Sequence, residues 1–321
     1  MLCLYICIIL ATRNGRFFLQ RLEQNRLVLA GILVVTAMSM IGLVDNFIKY
    51  IGDDGSVWQF HASRSLIICL ILIFFSRIYQ LSLRPKKILP VAIRSFFGAS
   101  SMIIYFSSLS VIPIAEAGAG LFTAPIFVLI ISSLYFRLRI GIWRILAVVI
   151  GFIGVILVLK PDLEELSYFS FLPVIAGFFY GMLGLTTRHL CSDESTEVLT
   201  LGFFAALGIF GFLGLTYFTI FPISGESTFL TKGLVWPTLN FNLIVLVQAV
   251  VSVVGVALIT RGYQVADASY VSVFEYVFLI SAGFWGYMLF DELLDFTALI
   301  GVILIASAGI IIILRASERD E

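Results

Sequence analysis

Charge is what this sequence has least of. Only 12% of its 321 residues are Asp, Glu, Lys or Arg, about half of the roughly 25% carried by a soluble domain. Such a chain has too little polar surface to coat a water-exposed globule. Neither sign dominates, since 20 Lys+Arg stand against 20 Asp+Glu. Net charge therefore gives no reason to expect nucleic acid as a partner. Histidine is nearly absent: His61 and His189 are the only two, which excludes a histidine metal cluster. The four cysteines, Cys3, Cys7, Cys69 and Cys191, fall at no metal-ligand spacing and mostly lie in or beside apolar runs. They read as small core residues, not as a disulfide framework. No strand–loop–helix context or Walker lysine accompanies the glycines near Gly98, Gly118 and Gly120, so no phosphate loop is present. The expectation is a chain without cofactor, metal or catalytic residue.

Apolar residues make up 60% of the chain, and its mean hydropathy is +1.09. A bilayer core about 30 Å thick needs about 20 apolar helical residues to cross it. Ten runs qualify: 27–50, 56–79, 90–111, 114–136, 140–159, 170–189, 197–221, 240–262, 267–290 and 295–314. Backbone in lipid must satisfy itself, which leaves helices or a closed barrel. The runs are too long and too continuous for barrel strands. The expected fold is an all-α integral membrane protein with ten transmembrane helices. The apolar Met1–Ala11 run is too short to span and makes a poor signal peptide; it reads as an interfacial segment or as the product of an upstream start.

Orientation follows from the basic residues. Placing the N-terminus inside gathers most of them on the cytoplasmic side, from Arg13, Arg16 and Arg21 through Arg77, Arg84, Lys86, Lys87 and Arg94 to Arg315 and Arg319. Lys49, Lys160 and Lys232 remain outside, and Arg64 lies within a span. This positive-inside asymmetry predicts a cytoplasmic (inner) membrane protein with both termini cytoplasmic. The outer loops are acidic, with Asp53, Glu164, Glu165, Glu226 and Glu292 among them.

The first five spans are echoed by the last five. Ala115-Glu116-Ala117 at the start of span 4 matches Ala266-Asp267-Ala268 at the start of span 9. An odd number of helices per half turns the second half upside down, an arrangement common in secondary transporters. The expected organisation is a cytoplasmic segment at 1–26, a first five-helix repeat at 27–159, a second at 170–314, and a cytoplasmic tail at 315–321.

These residues carry a resemblance. Asp45-Asn46-Phe47-Ile48-Lys49 closes span 1, and Arg64 sits in span 2. Pro125-Ile126-Phe127 lies in span 4, and the run from Val149 to Pro161 forms and follows span 5. Phe274-Glu275-Tyr276, Phe290-Asp291-Glu292 and Ile300-Gly301 leading to Gly309 continue the pattern in the second half. From about Leu27 to Leu314 the chain resembles the EamA-type branch of the drug/metabolite transporter superfamily. The resemblance implies two inverted five-helix repeats and a carrier, not an enzyme. One departure is Phe136-Arg137-Leu138-Arg139, where the family often places an acidic turn.

Ionisable groups in mid-membrane are expensive and invite functional readings. Arg64 reads either as an anion-recognising guanidinium or as the structural partner of a carboxylate on another helix. Glu275 reads as a substrate or proton site, or as the fixed partner of Arg64; Tyr276 is beside it. Asp45 and Lys49, at i,i+4 spacing, face the same way and can pair on span 1, with Asn46 next to them, while Lys49 is also close enough to the outer interface to snorkel. His61 lies one turn before Arg64 and reads as a cavity donor or a packing histidine. Tyr105, Tyr180 and Gln248 are candidate cavity walls or helix–helix ties. The predicted substrate-binding set is Arg64, Glu275, Tyr276, Asp45, Asn46, His61, Tyr105, Tyr180 and Gln248. The predicted function is secondary active transport of a small amino-acid-like, zwitterionic or anionic metabolite by alternating access, driven by an ion gradient (a proton being one candidate), by exchange or by the solute's own gradient. Facilitative exchange and, behind it, a membrane-embedded enzyme are the alternatives.

Overall fold

The computed structural model describes residues 26–162, 167–223, 228–291 and 295–317. The Met1–Ala11 run, Arg13, Arg16, Arg21, Arg319, Glu164, Glu165, Glu226 and Glu292 lie outside the described residues, as do the side chains of Lys49 and Asp53. The described chain is helical throughout: α1 (Arg26–Asp45), α2 (Val57–Tyr79), α3 (Ile88–Ser108), α4 (Ile114–Leu121), α5 (Ala124–Leu134) and α6 (Ile142–Leu159), then α7 (Phe171–Leu190), α8 (Thr196–Ile220), α9 (Leu239–Val265), α10 (Ala268–Phe274), α11 (Val277–Phe290) and α12 (Phe296–Ser317). Taking α4 with α5 and α10 with α11, these make ten membrane spans.

Local chemistry sets the ends. Ser56, Ser195 and Thr238 accept hydrogen bonds from the backbone N–H groups of Gln59, Val198 and Phe241, capping α2, α8 and α9. At the other ends, Gln80, Lys160 and Asp291 close α2, α6 and α11 in the left-handed conformation, with φ of 53°, 47° and 54°. Each span divides its sides by four-residue spacing. On α2, Leu66, Leu70 and Phe74 are exposed to the lipid, while Phe60, Arg64 and Ile68 are buried in the bundle.

The first span is shorter than its apolar run suggests. α1 ends at Asp45, and a separate 3₁₀ turn follows at Ile48–Tyr50. Asp45 and Lys49 therefore do not share one α-helix, and their side-chain pairing lies outside the described residues. The Asn46 side chain explains the stop: its amide donates to Gly42 O at 2.7 Å and to Ala282 O on α11 at 3.2 Å, tying the helix end to its neighbour.

Two spans are broken near their middles. In the fourth, Phe122 and Thr123 separate α4 from α5, with Pro125 in the first turn that follows. In the ninth, Glu275 and Tyr276 separate α10 from α11, and the backbone tightens there into i→i+3 hydrogen bonds from Glu275 N to Ser272 O and Tyr276 N to Val273 O.

The most extensive packing is between α6 and α12, followed by α2 with α8, and then α3 with α7 and α1 with α9. Every one of these pairs joins the first five spans to the last five. At the α6–α12 crossing a Cβ on Gly154 would lie 2.7 Å from Gly301 O, and one on Gly301 would lie 2.6 Å from Gly154 O. Such close backbone approach is how small residues pack helices where lipid supplies no hydrophobic drive. Gly154→Leu is expected to force the two helices apart and lower stability by about 1–3 kcal/mol. Gly309→Ala is the control, since its Cβ would meet only Phe274 at 3.8 Å. Thermal unfolding of both detergent-purified variants checks the pair; equal melting temperatures would refute the close-packing account.

The two ends of the bundle are tied differently. At one end Lys160 pairs with Asp295, and its ammonium holds that carboxyl below the usual carboxylate range. Here the Gln59 amide also pairs with both backbone groups of Val235, at 2.9 and 3.1 Å, and the Trp58 indole donates to Leu230 O. At the other end the Glu194 carboxylate accepts from the N–H groups of Lys86 and Lys87, capping α3. Arg144 and Arg188 there share the Asp267 carboxylate, at 3.9 and 3.5 Å.

Candidate functional site

A cavity of about 160 Å³ lies between the two halves of the bundle. Its walls come from α1 to α5, from α7 to α9 and from α11, and both helix breaks border it through Phe122, Ala124 and Glu275. Aromatic and aliphatic side chains predominate, among them Phe106, Phe203, Phe204 and Phe278. Five predicted site residues line it together: Asp45, Arg64, Tyr105, Tyr180 and Glu275.

Arg64 projects from the buried side of α2 and is 6% exposed. Its guanidinium lies 4.5 Å from the Phe60 ring and 6.0 Å from the Phe204 ring, and one terminal nitrogen lies 3.3 Å from His61 Nδ1. Its Nε has no protein hydrogen-bond partner. The nearby opposite charge is Asp45 on α1, which also accepts from the Gln248 amide at 3.2 Å. Arg64 forms no ion pair with Glu275 among the described residues. The fixed Arg64–Glu275 pair, one of the two readings of Glu275, is thus not made: the arginine lies among Phe60, His61 and Phe204 with Asp45 nearby, while the carboxyl lies among the tyrosines.

Glu275 occupies the break between α10 and α11 and is 2% exposed. Tyr180 donates its hydroxyl to Glu275 Oε1 at 3.1 Å, and Tyr263 approaches the same carboxyl. Tyr263 reaches this place because Gly184 offers no side chain where its ring crosses α7.

Four predicted residues are placed elsewhere. Tyr276 is fully buried, with its ring against Gly151 of α6, where it packs the bundle and does not border the cavity. Asn46 ties α1 to α11, as described above. Gln248 spends its amide N–H groups on Val44 O and Asp45, joining α9 to α1 behind the cavity wall. His61 is fully buried edge-on against Phe106 at 4.8 Å and sits behind the cavity wall, touching the site through Phe106 and Arg64.

The site also contains residues that sequence reasoning passed over. Arg94 belongs here and not among the cytoplasmic cations: it is 2% exposed and lines the cavity. Its guanidinium donates to Thr187 Oγ1 at 2.7 Å, Leu199 O at 2.9 Å and Thr260 Oγ1 at 2.8 Å, so three helices from the second half converge on one residue of the first. Ser252 and Tyr263 on α9 complete the polar lining. Both large omissions trace to span edges. The apolar run starts at 90, which puts Arg94 near the rim, and the eighth run ends at 262, whereas α3 begins at Ile88 and α9 continues to Val265. A charged residue inside PVAIRSFFGAS was the available signal.

Two arginines differ in what they have left to offer. Arg94 is engaged through all three of its nitrogens by protein acceptors, whereas Arg64 holds only the imidazole and aromatic faces. The cavity thus presents one cation with spare donors, two carboxyl groups and several phenol hydroxyls in an apolar wall. It can hold a small amphiphilic solute oriented by a few polar contacts.

Known proteins share this architecture. The profile of the EamA-like transporter family matches residues 28–160. An uncharacterized transporter of Helicobacter pylori is 25% identical over 92% of this chain and 98% of its own length. A riboflavin transporter of Rhizobium johnstonii is 24% identical over 92% and 91%. The pseudopaline exporter CntI of Pseudomonas aeruginosa is 26% identical over 77% and 82%. A crystal structure superposes with a TM-score of 0.73 at 16% identity, covering 93% of this chain and 99% of that one, which establishes the fold. The profile covers the first five spans, and the relatives extend the likeness through the last five, so that along nearly its whole length this multi-pass membrane chain is similar to EamA-like transporters and to carriers of small metabolites.

Proposed function

We propose that this protein is a secondary carrier that moves a small amphoteric or anionic metabolite across the cytoplasmic membrane by alternating access, with Arg64 recognising an anionic group of the solute. One observation carries the reading: a cavity between the halves contains a buried guanidinium whose donors the protein has not consumed. Burying such a group without a full set of partners is costly, and a ligand carboxylate or phosphate would supply them. Asp45 and Glu275 then receive the cationic or protic parts of the solute, or a coupling proton. Facilitative exchange uses the same site without the proton.

The two halves act as inverted repeats in this reading. The packing supports it: exchanging spans 1–5 with 6–10 maps the α6–α12 and α2–α8 contacts onto themselves and turns α3–α7 into α1–α9. The broken spans, fourth and ninth, exchange as well. Breaks at corresponding positions of two halves mark the substrate region in repeat-built transporters. The basic end of the bundle, with Arg77, Arg84, Lys86, Lys87, Arg144 and Arg315, faces the cytoplasm by the charge rule, which puts both termini inside.

The test begins with thermal stabilisation of the purified protein across a metabolite panel, because a ligand that binds the folded state raises its apparent stability. Arg64→Lys keeps the charge and loses the planar fork. It is expected to weaken the stabilising solute's affinity by about 10–100-fold, the equivalent of one or two charge-assisted hydrogen bonds, while the ligand-free melting temperature changes little. Unchanged affinity, or a loss of folded protein as large as the loss of binding, would reduce Arg64 to a structural residue. Uptake of the same solute into proteoliposomes, chemically unchanged, separates carrier from enzyme.

A further inference from the structure

A second polar site lies away from the cavity, at the basic end of the bundle where α6 begins and α12 ends. Trp143, Arg144, Tyr270 and Arg315 surround a notch of about 20 Å³ floored by Ile311 and Ile312, room for one oxygen-sized group. Both cations are held on aromatic faces: the Arg315 guanidinium lies 4.3 Å from the Trp143 ring centre, and that of Arg144 lies 3.7 Å from the Tyr270 ring centre. Arg144 Nε is buried with no protein hydrogen-bond partner. Among the described residues the one carboxylate that Arg144 reaches, Asp267, is shared with Arg188. α6 starts beside the notch behind Gly141 with no side-chain cap, which adds the positive end of its dipole.

The surroundings decide what the ligand is. On the helix segments that form the notch, Ile142 is 60% exposed, Ile310 55% and Leu314 63%, so the surface beside it is apolar and suits hydrocarbon. A tryptophan and an arginine at the end of a span mark the headgroup level of a membrane. A soluble anion would meet donors on one side and oil on the other. A phospholipid places its phosphate and its acyl chains on the matching sides. Basic pockets between helices at the cytoplasmic face are suited to anionic headgroups.

We propose that this notch binds the phosphate of an anionic phospholipid, with one phosphate oxygen between Arg144 and Arg315 and an acyl chain along Ile310 and Leu314. The site is independent of the transport cavity. It does act on an element that cavity uses, because Arg144 also holds the start of α10 through Ser269 at 3.0 Å and Tyr270 at 2.6 Å, and α10 leads to Glu275.

The test uses the full chain in a neutral detergent, titrated separately with dioleoyl phosphatidylglycerol, dioleoyl phosphatidylcholine and inorganic phosphate, with melting temperature and native mass spectrometry as readouts. Phosphatidylglycerol alone is expected to bind stoichiometrically and raise the melting temperature. Arg315→Gln is expected to weaken that binding about fivefold, one cation's share of anionic-lipid attraction. Arg84→Gln, an exposed cation at the same end, is expected to leave it unchanged. Stabilisation by phosphatidylcholine to the same extent overturns the proposal. So does an equal shift with inorganic phosphate, which would indicate a soluble-anion site, or an equal loss in Arg84→Gln, which would indicate diffuse charge. Should Arg315→Gln lower the lipid-free melting temperature, Trp143→Phe replaces it; undiminished phosphatidylglycerol affinity in that variant also overturns the proposal.

Discussion

Replacing Arg94 with leucine is expected to destabilise the protein by about 2–5 kcal/mol, lowering the yield of folded, monodisperse material and its melting temperature. Three hydrogen bonds would be lost at once, to Thr187 on α7, Leu199 on α8 and Thr260 on α9. Interhelical hydrogen bonds in membrane proteins contribute about 0.6–1.7 kcal/mol each, and those donated by an ionised group belong at the upper end. Leucine would also remove the side-chain donor to Leu199 O and the partner of the Thr260 hydroxyl. Thr187 has a fallback, since its hydroxyl already donates to Leu183 O at 2.6 Å. Lysine is a weak substitute, because a single ammonium cannot meet three acceptors fixed around a planar fork. Arg94→Lys should therefore recover less than half of the loss. A leucine variant that melts with the wild type would show that the three bonds are incidental to stability. The comparison with Arg64 is informative: its substitution should change ligand affinity and little else, because the protein itself has used so few of its donors.

The helical bundle was readable because crossing lipid imposes a coarse requirement, about twenty apolar residues in a row, and each of the ten runs meets it within a few positions of the observed ends. Those few positions matter most where function is concentrated. A run is defined by where polarity begins, and the polar residues at its edge, Arg94 at the start of α3 and Tyr263 near the end of α9, are the ones that fold inward to line the cavity. Hydropathy also cannot see the break at Glu275, which contains neither glycine nor proline; the fourth span at least announces its own with Pro125. Of the proposed site, Asp45, Arg64, Tyr105, Tyr180 and Glu275 were accessible by one rule, that a polar group deep in a span needs a reason. The same rule selects Asn46, Gln248 and His61, whose reason is to join helices or to position Arg64. Depth along a span was legible. Which way around the helix a side chain points was not, because nearly uniform apolarity leaves little periodic contrast to read.

Glu275→Gln is expected to separate driven transport from exchange. A carboxyl in this apolar cavity, with no ion pair among the described residues, rests on the Tyr180 hydroxyl and its approach to Tyr263. Buried carboxyl groups of this kind serve as proton relays in membrane carriers. Glutamine preserves the shape and still accepts from Tyr180 through its carbonyl, but it cannot bind or release a proton. If Glu275 carries the coupling proton, uptake driven by a pH gradient into proteoliposomes should fall by about two orders of magnitude or more, toward the rate of empty vesicles. Counterflow of labelled against unlabelled solute should persist within a few-fold of the wild type, because the cavity and its alternation remain intact. Tyr180→Phe provides the intermediate case: it removes the hydrogen bond and leaves the proton site, so driven uptake should survive with a shifted pH profile. Driven uptake retained in Glu275→Gln would assign the coupling to Asp45 or dispense with a proton altogether. Loss of both driven uptake and counterflow would instead make Glu275 a direct ligand of the solute, a role in which its hydrogen-bonded tyrosines would orient the bound molecule and not a proton.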